Sequence, residues 1–255
     1  MPGRAKPIGT ASGQWTKAPT KHSPHPEMPT LGIERLLWDA NVGYVAGIDE
    51  AGRGAWAGPV VAAAVILHPQ RTDRLFDCVR DSKQLTAKER TTAAAVIRDD
   101  AVALGVSVVP PRVVDEAGLS FAGQLAFWRA VRALHLEPDY LLVDGFPLWS
   151  ETHRQTAVLQ GDQRSLSIAA ASVIAKVARD ELMCCLEADE PIYGFARHKG
   201  YGSPVHREAL RAHGPSAHHR RSYVPVAEIC AELGLPGATH FWIDADAPFG
   251  PEFGG

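Results

Sequence analysis

Cysteine is scarce in this chain. Four residues in 255 (Cys78, Cys184, Cys185 and Cys230) include no CxxC pair, and the neighbours 184 and 185 cannot easily bridge each other. That usage speaks against a disulfide framework and fits reduced thiols in a cytoplasmic protein. No apolar run approaches the roughly 20 residues a membrane span needs, so no membrane association is expected. The N-terminus carries basic residues without the apolar stretch of a secretory signal. Strong charge of one sign is also missing: the net formal charge is −3, which announces no general attraction to nucleic acid. Lys and Arg are absent from residue 226 to the end, where five acids lie. The stretch 197–221 is the opposite, with six Lys/Arg, five His and one acid. A basic segment on a mildly acidic protein can serve as a phosphate footprint.

An apolar share of 45% is enough for a substantial core. Residues 1–28 are rich in Pro, Gly, Ser, Thr and Lys and nearly devoid of aliphatics, so they read as a disordered tail. Residues 29–225 then form one domain, and 226–255, punctuated by Pro and Gly, an extension. "TLGIERLLWDAN" reads as a short helix, "YVAGID" as a strand ended by glycines, and "VVAAAVIL" as a second strand in a covered sheet. "TAKERTTAAAVIRDD" predicts a helix with Thr86 as N-cap and Glu89 completing a capping box. "VALGVSVVP" predicts a strand, the stretch 110–136 one or two helices, "DYLLVDG" and "TAVLQGD" short strands, and "LSIAAASVIAKVARDELMCCLEA" a long helix. This alternation argues for an α/β fold with a mixed sheet.

Three of those strands end alike, in "GIDE", "LLVDG" and "VLQGD", with Asp49, Glu50, Asp144 and Asp162 where apolar runs stop. Ligand sites in open α/β sheets gather at such ends. Each acid alone reads more simply as a turn or cap residue. Four together would repel one another, a repulsion that a divalent cation relieves, and hard oxygen ligands without His or Cys suit Mg²⁺ or Mn²⁺. Residues 49 and 50 point to opposite faces of a regular strand. Both can serve one site if the strand ends or bulges there, which the following "AGRG" would allow. In "GRG", the missing Cβ atoms would let a ligand approach, with Arg53 or main-chain amides on phosphate. In "RHKGYGSPVHREAL", Tyr201 stands between two glycines and could offer its ring to a sugar or base.

Five motifs in order, "GIDEAGRGAWAGPVVAAAV", "DSKQLTAKER", "LLVDG", "QGD" with "SIAAASVIAKVARDELM", and "HKGYGSPVH", resemble those of ribonuclease HII and cover roughly residues 42–213. The resemblance implies an RNase H-like fold, a mixed central sheet flanked by helices, with a helical C-terminal portion. It implies a monomeric endonuclease that cuts the RNA strand of RNA–DNA hybrids and single ribonucleotides in duplex DNA, using Mn²⁺ or Mg²⁺. By the family pattern the catalytic and metal-binding acids are Asp49, Glu50, Asp144 and Asp162. Gly52, Arg53 and Gly54 match the motif for the ribonucleotide and its junction phosphate, and Tyr201 the aromatic on the next sugar. Ser82 and Lys83 lie in the match that orders a loop or touches the backbone. Asp180 reads as structural, with Lys176 one turn earlier to pair with it. Departures are Gln160, where a lysine often stands, and the bulky Trp56 after the "GRG", which either packs or meets substrate. A ribonuclease HIII-like or resolvase-like enzyme, which would not cut at a lone ribonucleotide, and a non-catalytic hybrid-binding module, which would not turn over, are the competing readings.

Overall fold

A computed structural model describes residues 28–79, 82, 83, 85–150 and 152–238. The tail expected at 1–28 lies outside the described residues except for Met28, as does the extension from residue 239.

Five strands build one sheet: β1 (Val45–Ala51), β2 (Val60–Leu67), β3 (Ala101–Val109), β4 (Tyr140–Asp144) and β5 (Gln155–Val158). Their order is β3-β2-β1-β4-β5, with β1–β2 and β2–β3 antiparallel and β1–β4 and β4–β5 parallel. All eight residues of β2 are buried, because helices cover both faces. The parallel trio β1, β4 and β5 turns its C-terminal ends one way, with Asp49 and Glu50 on β1, Asp144 at the end of β4 and Asp162 in the turn after β5.

The helices are α1 (Gly32–Asp39), α2 (Asp73–Cys78), α3 (Ala87–Asp100), α4 (Pro111–Arg132), α5 (Leu166–Asp189), α6 (Phe195–His198), α7 (Pro204–His213) and α8 (Val224–Glu232). On one face, α5 and α3 pack with Ala51, Ala63 and Val65. On the other, α4 packs with Ile48, Ala62 and Ala64 through Ala126, Phe127 and Ala130. The alternation of β1 between these two cores is the period-2 rule at work. The capping box of α3 forms as its sequence predicts: the Glu89 amide donates to Thr86 Oγ1 at 3.3 Å, and the Thr86 amide to Glu89 Oε2 at 2.7 Å. The stretch 110–136 holds two helical segments, together α4, that meet at Gly118, whose φ of 84° and ψ of 160° are not helical.

Two anchors fix α5. Its N-cap Ser165, together with Ser167, donates to one oxygen of the buried Glu34 on α1. At its other end, α6, α7 and α8 form a small core of Met183, Phe195, Leu210, Val226 and Ile229. The boundary expected after residue 225 thus falls within α8, whose buried side chains belong to this core.

Candidate active site

β1 and β4 part company at the acids. Their pairing ends at Ile48 and Val143, whereas β1 runs on against β2 to the pair Ala51–Val61 without a register shift. The strand therefore neither ends nor bulges at Glu50. Asp49 faces α5 and Glu50 faces α4, and because β4 stops at Asp144, both carboxylates reach around the open edge. Asp49, Glu50 and Asp144 line one cavity of about 260 Å³. Asp162 sits behind Asp144, on a 3₁₀ turn (Gly161–Gln163) rather than on β5 itself.

Each carboxylate has its own partner. Asp49 accepts the Glu50 amide at 2.7 Å and a bond from the Ser172 hydroxyl of α5. Ser172 Oγ in turn lies 2.9 Å from the buried Ser82 Oγ, so Ser82 supports Asp49 from behind. Glu50 lies 3.4 Å from Arg53 Nε. Asp144 accepts the Gly161 amide at 2.7 Å, and Asp162 pairs with Lys83 Nζ at 3.1 Å. Burial, then the charges of Glu50 and Asp144, push the Asp49 carboxyl well above the usual range. Burial lifts Glu50 to about 7, with Arg53 opposing and Asp144 reinforcing. Asp144 is raised by burial, opposed by the Gly161 amide, with Asp162 adding to the rise. Among the described residues no three His, Cys, Asp or Glu side chains are already drawn into a ligand cage. The donor set nevertheless fits a hard divalent cation: clustered carboxylate oxygens whose negative charge is disfavoured as they stand.

Gly52, Arg53 and Gly54 line the same cavity, with Ser82, Lys83, Lys176 and Tyr201. The two glycines do different jobs. Gly52, at φ 95°, leaves room for a side chain beneath it, since a Cβ there would lie 2.0 Å from Arg179 Nε. A Cβ on Gly54 would meet nothing within 4 Å, so this is the open side. Tyr201 is 39% exposed, with Arg179 and Lys176 at 5.4 and 5.5 Å from its ring centroid. Trp56 packs onto Gly202, where a Cβ would lie 2.2 Å from the indole, and Arg207 covers it at 5.0 Å. Asp180 pairs with Lys176 at 2.7 Å and with Arg90 at 3.7 Å.

A family model described as Ribonuclease HII matches residues 46–226. The chain belongs to the ribonuclease HII family. A ribonuclease HII of Chloroflexus aggregans is 51% identical over 203 residues, 79% of this chain and 96% of the relative. The crystal structure of ribonuclease H2 from Pyrococcus horikoshii superposes with a TM-score of 0.64 at 27% identity, covering 75% of this chain and 99% of that one. Bst-RNase HIII, solved in complex with Mn²⁺, gives a TM-score of 0.59 at 20% identity over 85% of this chain and 76% of its own, a likeness of fold alone. The expected RNase H-like fold is present, and the chain is a ribonuclease H hydrolase; the family activity is endonucleolytic on RNA–DNA hybrids. Among the described residues no helix is long and apolar enough to cross a membrane.

This ribonuclease HII-family site rests on residues that the sequence did not single out. Arg179 and Arg220 are fully buried. Arg179 donates to the carbonyls of Pro59, Ala57 and Lys199 at 2.9–3.0 Å. Arg220 donates to the carbonyls of Gly58 and Arg53 and to the Tyr223 hydroxyl, which itself bonds Arg53 O. Burial lowers the Arg179 pKa to about 10, still far above neutrality. Two charged forks thus hold the backbone of residues 53–59, the end of the "GRG" loop and the turn that follows it.

Three histidines then fix the backbone of Tyr201. The Ser216 amide donates to His219 Nδ1 at 3.0 Å, which places the His219 proton on Nε2. Nε2–H donates to His206 Nε2 at 3.0 Å, and His206 Nδ1–H to Tyr201 O at 3.0 Å. His198 stacks on His206 at 4.3 Å and accepts the Gly200 amide. Burial holds His206 down to about 4 and His219 to about 3, so both are neutral. The signal in the sequence was the five histidines among the basic residues.

Proposed function

We propose that this enzyme hydrolyses the phosphodiester on the 5′ side of a ribonucleotide, in RNA–DNA hybrids and at single ribonucleotides embedded in duplex DNA. The products are a 3′-hydroxyl and a 5′-phosphate, the chemistry needed for ribonucleotide excision repair and removal of replication primers. The observation that carries this reading is the single cavity lined by Asp49, Glu50, Asp144, Arg53, Gly54, Lys83 and Tyr201. It combines cation-binding carboxylates, phosphate-binding cations and an aromatic ring within one strand's reach.

Asp49, Glu50, Asp144 and Asp162 would hold the divalent ions, Mg²⁺ or Mn²⁺. Two such ions, when bound, supply water activation and charge stabilisation at the leaving 3′-oxygen. Ser172, backed by Ser82, orients Asp49, and the Gly161 amide orients Asp144. Arg53 and Lys83, now paired with Glu50 and Asp162, are the cations placed to meet the phosphates. The outward ring of Tyr201 stacks on the sugar that follows the ribonucleotide, while the loop 52–54 reads the 2′-hydroxyl that distinguishes RNA from DNA.

The test is a duplex carrying one ribonucleotide, incubated in parallel with Mg²⁺, Mn²⁺ and EDTA. Cleavage 5′ to the ribonucleotide with either ion, and none in EDTA, is the expected result. Cleavage of a uniform hybrid without cleavage of this duplex would place the protein with ribonuclease HIII-like enzymes instead.

A further inference from the structure

Trp56 holds both of the glycines that flank Tyr201. Its amide donates to Gly200 O at 2.8 Å, and the Ala57 amide donates to the same carbonyl at 3.2 Å. Its indole covers Gly202, so closely that a Cβ there would lie between 2.2 and 2.8 Å from three ring atoms. Gly200 is fitted as tightly: at φ 78°, a Cβ on it would lie 2.3 Å from Ala57 O. The Trp56 carbonyl in turn accepts the Arg220 amide at 2.7 Å. Trp56 stands two residues after Gly54, so a single residue ties the "GRG" loop to the loop that carries Tyr201.

The two halves of this tie differ in kind. On the Gly200 side it is main chain, reinforced by Arg179, which donates to Ala57 O and Pro59 O on one loop and to Lys199 O on the other. Any residue but proline at position 56 would keep it. On the Gly202 side, past Tyr201, the contact is made by the indole. The ring is itself braced by His206, with centroids 5.5 Å apart, and by the Arg207 guanidinium at 5.0 Å. Gly52, Arg53, Gly54 and Tyr201 line the carboxylate cavity, and Trp56 is not among its walls. The indole therefore acts on the loops and not on a strand lying in the cavity. A close-packed contact at that place sets how far the Tyr201 ring stands from residues 52–54.

We propose that Trp56 is a positioning residue for substrate choice: its ring fixes the spacing between loop 52–54 and Tyr201, and with it the preference for a ribonucleotide followed by a deoxynucleotide. The assignment rests on the function proposed above, in which the loop reads the 2′-hydroxyl and Tyr201 takes the next sugar. Those two features lie one nucleotide apart on the same strand. A single ribonucleotide offers one register in which both are met. A uniform hybrid presents a 2′-hydroxyl at every step, so it depends less on the spacing between the two readers.

The experiment compares kcat/KM on a duplex with one ribonucleotide and on a uniform RNA–DNA hybrid, using the full chain. Trp56→Ala should lose about tenfold on the first and less than about threefold on the second. Trp56→Phe keeps a flat ring and should return to within about threefold of wild type on both. Added to Tyr201→Ala, Trp56→Ala should cost less than about twofold more on the single-ribonucleotide duplex, because the ring acts through Tyr201. In the free enzyme, hydrogen exchange at the amides of 200–203 should quicken severalfold in Trp56→Ala while those of α5 stay protected. The role is overturned if Trp56→Ala loses equally on both substrates or on neither, if Trp56→Phe is as poor as Trp56→Ala, or if the tenfold loss recurs in full on the Tyr201→Ala background. Failure of wild type to cut the single-ribonucleotide duplex would instead overturn the proposed function. Hydrogen exchange would then still read the tie, and unchanged exchange would overturn it.

Discussion

Asp49 shows how much one side chain can be asked to do. It is buried, flanked by two further carboxylates, and held by a hydroxyl relay from Ser82 through Ser172. Asp49→Asn keeps the shape but removes the charge and turns one acceptor oxygen into a donor. Single-ribonucleotide cleavage should fall by a factor on the order of 100 or more, while binding of the duplex in EDTA is kept; cleavage near the wild-type rate would remove Asp49 from the metal site. Arg179 invites a different test. Lysine cannot reproduce a planar fork to three carbonyls. Arg179→Lys should cost about 3 kcal/mol in urea unfolding, and a loss below about 0.5 kcal/mol would show that the fork is dispensable.

Among the elements, the legible ones share a cause. β2 is a continuous apolar run, α3 announces itself by its capping box, and Asp144 closes β4, all of them local patterns. Thr86→Ala should therefore cost about 1 kcal/mol, read as a shift of the urea midpoint at unchanged slope. What local pattern could not reveal depends on partners. Asp49 and Glu50 keep their regular alternation, and they share a site because the pairing of β1 with β4 stops at Ile48 and Val143, a fact of the β1–β4 ladder rather than of "GIDE". Gly52 lines the cavity, and the room its missing side chain leaves is also filled from below by Arg179, which no local pattern announces. Arg179 and Arg220 carried no signal of burial, since their acceptors are mainly backbone carbonyls, which every sequence has.

For the whole molecule, protons are taken up in two opposite directions as pH falls. The buried, neutral His206 and His219 resist protonation, whereas their unfolded counterparts accept it near the ordinary value of 6.5. The unfolded chain then binds more protons, so stability falls as pH drops from about 6.5 toward 4 and 3. The raised carboxyls of Asp49, Glu50 and Asp144 act the other way, because the fold takes up their protons first. The triple variant D49N/E50Q/D144N removes that opposition. Its melting temperature should drop by several degrees from about pH 7 to about pH 5, more steeply than wild type without metal. A flat profile would mean that the histidine chain is not neutral.

The inward grip on Arg53 has one more effect. A trans peptide points its carbonyl and its N–H in opposite directions, and Arg220 and Tyr223 both pull the Arg53 carbonyl into the interior. The Gly54 amide is thereby turned toward the open cavity. That donor carries no net charge, does not titrate and sheds no counterion, so a phosphate oxygen bound there would be held at ionic strengths that weaken every lysine around it.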